Sequence, residues 1–429
     1  MKSILKKIIV KILIFESKLI LLRYKPKIIA VTGSVGKTST KDAIFTILSK
    51  FKKIRKSEKS FNSDIGIPLT ILGCPNGWSN PWIWAENIFK GLFLIFGFNK
   101  YPEWLILEVG AGKPGDIKNI APWLSPDFVV ITRFPEKPVH VEFFGSSDNV
   151  VEEKKSLALA LKKDGLLILN HDDERVYNLR KDLDCKTVSY GFHELATYRG
   201  LYQALEYKEN GIPDGIVFKL QYDNNIFPVK MPNIIGMHFV WSALSALAVA
   251  NEIGCDLLKS IEALSEYSTP PGRLNLIKGI NNSVIIDDTY NSSPVAMEVA
   301  LNFLKDVKGK RRIAVLGDML ELGKITKETH NEVGKSIKEI ADILVVVGPR
   351  AKFIADGAIE SGFKKENIRS FDSSVEAGKF LAENSQEGDI IFLKGSQGIR
   401  LEHAILPIMA DLSQKDTILC RQEKEWEFK

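Results

Sequence analysis

The stretch "IIAVTGSVGKTSTKDAI", residues 28–44, decides the fold. Its apolar run, Ile28 to Val31, reads as a buried strand that breaks at Gly33 and enters a helical pattern after Lys37 and Thr38. The turn Gly33-Ser34-Val35-Gly36 lets backbone N–H groups converge on phosphate oxygens, and the following helix N-terminus adds a favourable dipole. Lys37 supplies a cation for the β- and γ-phosphates, and Thr38 offers a hydroxyl to Mg²⁺, with Ser39 next in line. Val31 stands where the longer G-x-x-x-x-G-K-[ST] loop has glycine, so the match is to a shorter T-G-x-x-G-K-T form. A plain strand–turn–helix needs a glycine or two, but not Gly-Lys-Thr in this context.

Outward from the loop, short apolar runs alternate with helical patterns. "WLILEVG" (104–110), "FVVITRF" (128–134) and "GLLILN" (165–170) read as buried strands, with a helix over "SDNVVEEKKSLALALKK" (147–163). Such alternation predicts an α/β fold, a central parallel sheet with helices on both faces. Residues 185–230 read as an antiparallel β insert, and "HFVWSALSALAVANEIG" (238–254) as a long helix. The Pro-Pro-Gly break in "STPPGRLNL" (268–276) marks a domain boundary. Beyond it "SVIIDD", "RRIAVLGD", "ILVVVG" and "DIIFLKG" restart the alternation as a second, Rossmann-like α/β domain. The expected division is a basic N-terminal helix over 1–27, an ATP-binding domain over 28–268 and a C-terminal domain over 269–429.

Composition narrows the class. The chain has 429 residues, of which 26% are charged and 45% hydrophobic, with a net charge of +5. That mild charge gives no reason to expect a nucleic-acid partner. Its four cysteines are scattered without a Cys-x-x-Cys pair, which argues against a structural zinc site or a disulfide framework. The apolar residues from Ile4 to Leu22 are interrupted by Lys6, Lys7, Lys11, Glu16 and Lys18, short of the ~20 uninterrupted residues of a membrane span. Two readings stay open for this helix: packing on the body with its lysines solvated, or lying in a membrane interface. "WSNPWIWAENIFKGLFLIFGF" (78–98) is a second aromatic, apolar stretch, open to burial, self-association or the same membrane face.

Other candidate groups sit where strands end. Glu108 closes one apolar run, at the sheet edge where α/β ligands bind, and His140 and Glu142 follow the next. Asp287 and Asp288 end a buried run, where adjacent carboxylates repel, so a ligand, a cation or a helix cap must justify them. Arg273 follows the Pro-Pro-Gly break, and Lys394, Gly395 and Ser396 form another anion-friendly turn.

Taken in order, "TGSVGKTSTK", "NSDIGIPLTIL", "LEVGAGKPGDI", "HVEFFGSSDNVVEEKKSL", "GMH", "PPGR", "DDTYNSSP", "GDMLELG" and "LKGS" resemble the Mur ligase family over about residues 28–410. The "DDTYNSSP" and "GDMLELG" blocks are most similar to its D-alanyl-D-alanine-adding members. The resemblance implies an ATP-dependent carboxylate–amine ligase of peptidoglycan synthesis, working through an acyl phosphate. Its substrates would be a UDP-N-acetylmuramoyl tripeptide and D-Ala-D-Ala, and its place the cytoplasm, at the inner membrane face if the first helix lies there.

Residue by residue, the resemblance implies an ATP loop from Gly33 to Ser39, Mg²⁺ on Thr38, Glu108 and His140, and Asn62 in the ATP site. Lys154 falls where the family carries a carbamylated lysine that helps hold a second Mg²⁺. Arg273 and Asp288 match nucleotide contacts of the C-terminal domain, and Asn291 and Ser396 lie where the dipeptide is expected. Closure about residues 268–273 would shield the acyl phosphate from water.

Departures from the family pattern stand beside these matches. Family members usually carry an N-terminal domain for the UDP group, and 27 residues precede the first strand here. Both asparagines of the family's G-x-H-N-x-x-N are replaced, by Phe239 and Ser242, and Gln397 stands where K-G-S-R has arginine. Alternatives are a related ligase with a lipid-linked muropeptide or a folate-type acceptor, and a nucleotide-binding partner without catalysis.

Overall fold

The structure is a computed structural model that describes residues 3–58, 61–78, 80–97, 100–134, 144, 146–209, 211–422 and 426. The chain forms two compact units, Met1–Gln203 with Val217–Met231 and Met237–Tyr267, and Ala204–Ile216 with Pro232–Gly236 and Ser268–Lys429.

The first unit is built on strands β1 (Lys27–Thr32), β2 (Ile54–Lys56), β3 (Trp104–Glu108), β4 (Phe128–Ile131), β5 (Leu166–Asn170) and β6 (Lys186–Gly191). They pair in parallel in the order β2-β3-β1-β4-β5-β6. The sheet order continues through β7 (Tyr198–Tyr207), β8 (Pro213–Tyr222) and β9 (Asn225–Pro232). β6 departs from the sequence reading, which opened an antiparallel insert at residue 185. It pairs parallel with β5, Leu166 against Lys186 through Asn170 against Tyr190. The reason is the crossover between them: α7 (Glu174–Asn178), capped by the Asp173 side chain, returns the chain to the same sheet edge.

Both faces of β1, β3, β4 and β5 are buried. Ile28, Ala30, Leu105, Leu107, Val129 and Ile131 face a core shared with α1 (Ser3–Tyr24), α3 (Gly66–Leu72), α4 (Pro81–Phe96), α5 (Asp116–Leu124) and α6 (Ser147–Leu159). The alternate residues Ile29, Val31, Ile106 and Val130 are equally buried, on the side where α2 (Lys37–Leu48) and α8 (Phe239–Glu252) pack, with α9 (Leu257–Leu264) against both helices. Burial on both sides explains why β1, β3 and β5 read as continuous apolar runs.

The second unit holds strands β10 (Asn275–Lys278), β11 (Val284–Asp288), β12 (Arg311–Gly317), β13 (Ile343–Val347), β14 (Ile368–Phe371) and β15 (Asp389–Lys394). Their order is β10-β11-β15-β12-β13-β14, with β10 antiparallel to β11 and the remainder parallel. α10 (Pro294–Asp306), α11 (Thr326–Ser336) and α12 (Lys352–Glu360) cover one face through Met297, Leu301, Val333 and Ile354. α13 (Ser374–Asn384) covers the other through Ala377 and Leu381, a doubly wound arrangement.

Candidate active site

Register brings the first cluster together. Val31 pairs with Glu108 across β1 and β3, so the carboxylate emerges beside the loop that follows β1. Gly33 takes φ 140°, and a Cβ there would lie 1.9 Å from Thr132 Oγ1. Only glycine fits that approach. The Thr132 hydroxyl donates to the Val35 carbonyl at 2.6 Å, and Ser34 N–H donates to the Arg133 carbonyl at 2.8 Å, fixing the loop against the end of β4. Gly36, with φ 86°, opens α2 at Lys37 with no side-chain cap, leaving the helix N-terminus for an anion.

Around this loop the charged side chains converge. Thr38 Oγ1 donates to Glu108 Oε2 at 2.9 Å, and Asn62 Nδ2 donates to Glu108 Oε1 at 3.1 Å. Lys37 Nζ reaches the Ser34 carbonyl at 3.3 Å, and Lys154 Nζ reaches the Ser34 hydroxyl at 2.8 Å. Lys154 is buried, and desolvation, with the Lys37 charge second, pulls its ammonium down to about 7. Its neighbour Glu153 pins α6 by accepting from Gly115, Ile117 and Lys118 N–H at the start of α5. Lys155 turns away to Asp182 at 2.8 Å.

A hydroxyl and a carboxylate beside a phosphate loop are the hard oxygen donors Mg²⁺ takes, with waters and phosphates completing its shell. Thr38 and Glu108 therefore fit that ion. Among the described residues no group of three or more His, Cys, Asp or Glu side chains forms a metal cage. His140 lies outside the described residues, as does Glu142.

The second unit carries the remaining candidates. Asp288 accepts from Lys394 Nζ at 2.6 Å, across paired positions of β11 and β15, and burial raises its carboxyl above the usual range. Asp287 is wholly buried and pushed up to about 6, with Thr289 donating to its Oδ1. Arg273 lies over the Tyr290 ring, 4.5 Å from its centroid. Asn291 is exposed, and its carbonyl accepts from Lys394. The Ser396 hydroxyl donates to the Ser292 carbonyl and accepts from Leu320 N–H, so it ties three loops together.

Two groups escaped the sequence reading. Lys41 is fully buried on α2, donating to the Ser57 carbonyl at 2.9 Å, with Glu108 Oε2 3.9 Å away. It offsets the Glu108 charge from beneath, and burial lowers its own ammonium. The other group follows β5. Asp172 accepts from Phe192 and His193 N–H and, at 2.6 Å, from the Trp241 indole, while buried His171 stacks between Tyr177 and His193. Its signal in the sequence is "LNHDDE" (169–174), acids after an apolar run, the same pattern as at 287–288. Of the two replaced asparagines, Phe239 is core and Ser242 accepts from Thr40 Oγ1 at 3.4 Å.

Fold and site together define a phosphate-loop α/β protein joined to a second doubly wound unit. The family model "Mur ligase middle domain" matches residues 31–250, and "Mur ligase, glutamate ligase domain" matches residues 272–397. The chain belongs to the Mur ligase family. It is 31% identical over 381 residues to UDP-N-acetylmuramoyl-tripeptide–D-alanyl-D-alanine ligase of Bacillus subtilis, covering 88% of this chain and 75% of that one. The structure is similar to MurF from Acinetobacter baumannii, with a TM-score of 0.75 and 25% identity over 94% of this chain and 80% of that one. It is also similar to MurF ligase from Thermotoga maritima in complex with ADP, with a TM-score of 0.70 and 25% identity over 95% and 84%.

Proposed function

We propose that this chain is an ATP-dependent ligase that joins D-Ala-D-Ala to a UDP-N-acetylmuramoyl tripeptide. The observation that carries the reading is the convergence of Lys37, Thr38, Glu108 and Lys154 on one phosphate loop. The substrate pair rests on relatives of that name. A carboxylate oxygen of the tripeptide attacks the γ-phosphorus and ADP departs. The dipeptide amine then adds to the acyl carbon, and the C–O bond to phosphate breaks as the amide forms and the amine loses its proton.

Lys37 supplies positive charge to the phosphoryl group in transfer, and the α2 N-terminus orients it. Mg²⁺ held by Thr38 and Glu108 would screen the phosphate charges. Asn62 and Lys41 hold the Glu108 carboxylate in place. Lys154, its ammonium pulled down to about 7, supplies a share of free amine at neutral pH, and that amine adds CO₂, forming a C–N bond and releasing a proton. The product is the carbamate that places a further anionic oxygen pair beside Ser34. Arg273 and Asp288 are assigned to nucleotide, and Asn291, Ser396 and His140 to the roles the family resemblance gives them. The ATP-binding domain is assigned to 28–268 and the C-terminal domain to 269–429.

Phosphate release in the presence of each substrate tests this reading. Release should require both the tripeptide nucleotide and D-Ala-D-Ala. Turnover with a lipid-linked muropeptide or a folate instead would change the acceptor, and ATP binding without turnover would leave a binding module. We place the reaction in the cytoplasm, with α1 giving peripheral contact to the membrane's inner face.

A further inference from the structure

The contact just proposed for α1 rests on a larger surface. α4 and α1 pack on one side of the sheet and share its core through Ile9, Leu13, Ile20, Trp84 and Leu94. Arg23 ties them by donating to the Ile95 and Gly97 carbonyls, at the C-terminal end of α4 where a cation is favoured. The Tyr24 hydroxyl donates to the Leu94 carbonyl at 2.9 Å, and Glu16 lies against Gly91. The two helices thus present their outer sides as one surface.

Those outer sides are apolar and cationic together. On α4, Trp82, Phe89, Phe93 and Phe96 follow intervals of seven, four and three along a single stripe, each between 64% and 81% exposed. On α1 the exposed stripe alternates in chemistry: Ile8, Lys11, Phe15, Lys18, Leu22. Lys7, Arg23 and Lys90 flank these positions, and Glu86 is the one acid among the exposed described residues of the two helices. Water-soluble monomers seldom leave four large aromatics in one row.

We infer that the α1–α4 surface lies on an anionic lipid bilayer. Aromatic rings at headgroup depth with lysines around them match an interfacial helix pair. No helix among the described residues is long and apolar enough to cross a membrane. At 16 residues α4 is about 24 Å long, so it lies in the interface plane. Charge decides against a second copy of the chain as the occupant, because pairing this face with itself sets lysine against lysine, whereas phosphate headgroups complement it. The family models start at residue 31, so α1 lies outside them.

The test is co-sedimentation of the full chain with phosphatidylglycerol vesicles and with phosphatidylcholine vesicles at low and high salt. The expected result is binding to the anionic vesicles only, weakened by salt. Lys7→Gln with Lys11→Gln should weaken partition about thirtyfold. Phe89→Ser with Phe93→Ser should abolish it, with ligase turnover in solution unchanged, because none of these residues touches the phosphate loop. Circular dichroism and the melting temperature of each variant establish that it folds. Equal binding of the folded variants, no binding of the wild type, or a dimer that the Phe→Ser pair dissolves would overturn the inference. Loss of turnover with vesicle binding intact would count against the ligase reading alone.

Discussion

A lysine buried beside another lysine is poorly served by its charge, and Lys154 is in that position, 5% exposed with Lys37 nearby. Arginine would keep its charge and cannot form the carbamate. Lys154→Arg is therefore expected to lower kcat at least a hundredfold while nucleotide still binds, and intact-mass measurement of the native wild type should show the gain of one CO₂. A Lys154→Arg enzyme with near-normal kcat would remove the carbamate from the mechanism. Lys37→Ala is expected to cost about 10²–10³ in kcat, the range of losing one preorganised charge donor, measured by phosphate release. Lys37 and Thr38 were legible because a phosphate loop requires those residue types at fixed spacing, and Glu108 because it closes an apolar run at the sheet edge where α/β ligands bind. Lys41 was not. A lysine in a helical pattern reads as solvated, and only the packing of α2 against β3 buries it beside Glu108.

Among the elements, α1 shows most clearly where pattern reading runs out. Its sequence left packing and membrane contact as alternatives, yet one face packs while the other stays exposed. The Glu16 carboxylate is buried between α1 and α4 with neither oxygen hydrogen-bonded, and burial pushes it up to about 7. The native state then holds a proton that the unfolded chain gives up near 4.5, so this group costs stability as pH rises from about 4.5 to 7, on the order of 3 kcal/mol in full. Glu16→Met, of similar shape, should gain on the wild type as pH rises through that window. Urea midpoints at pH 5 and pH 8 check this, and a difference independent of pH would refute it. Gly91 permits the approach, since a Cβ there would lie 2.2 Å from Glu16 Oε2. Gly91→Ala should destabilise by about 1–3 kcal/mol in the same assay. β6 was misread for a related reason: five or six residues of strand carry no sign of parallel or antiparallel pairing, which the α7 crossover determines.

At the scale of the whole molecule, strand–helix alternation on either side of Pro270-Pro271-Gly272 was enough to anticipate two α/β sheets. Continuous apolar strands announce a sheet covered on both faces, so the architecture was the most legible part. Which strand ends carry chemistry was less so, because the acids at 172–173 and 287–288 look alike until neighbouring loops are placed around them. Activation of a carboxylate as an acyl phosphate leaves one oxygen of that carboxylate on the phosphate released. The most direct measurement supplies UDP-N-acetylmuramoyl tripeptide labelled with heavy oxygen in its terminal carboxylate, together with ATP and D-Ala-D-Ala, and weighs the phosphate released. One labelled oxygen per phosphate is the expected result, because that oxygen bonds to phosphorus before the amine displaces it. Amide formation with unlabelled phosphate would exclude an acyl phosphate.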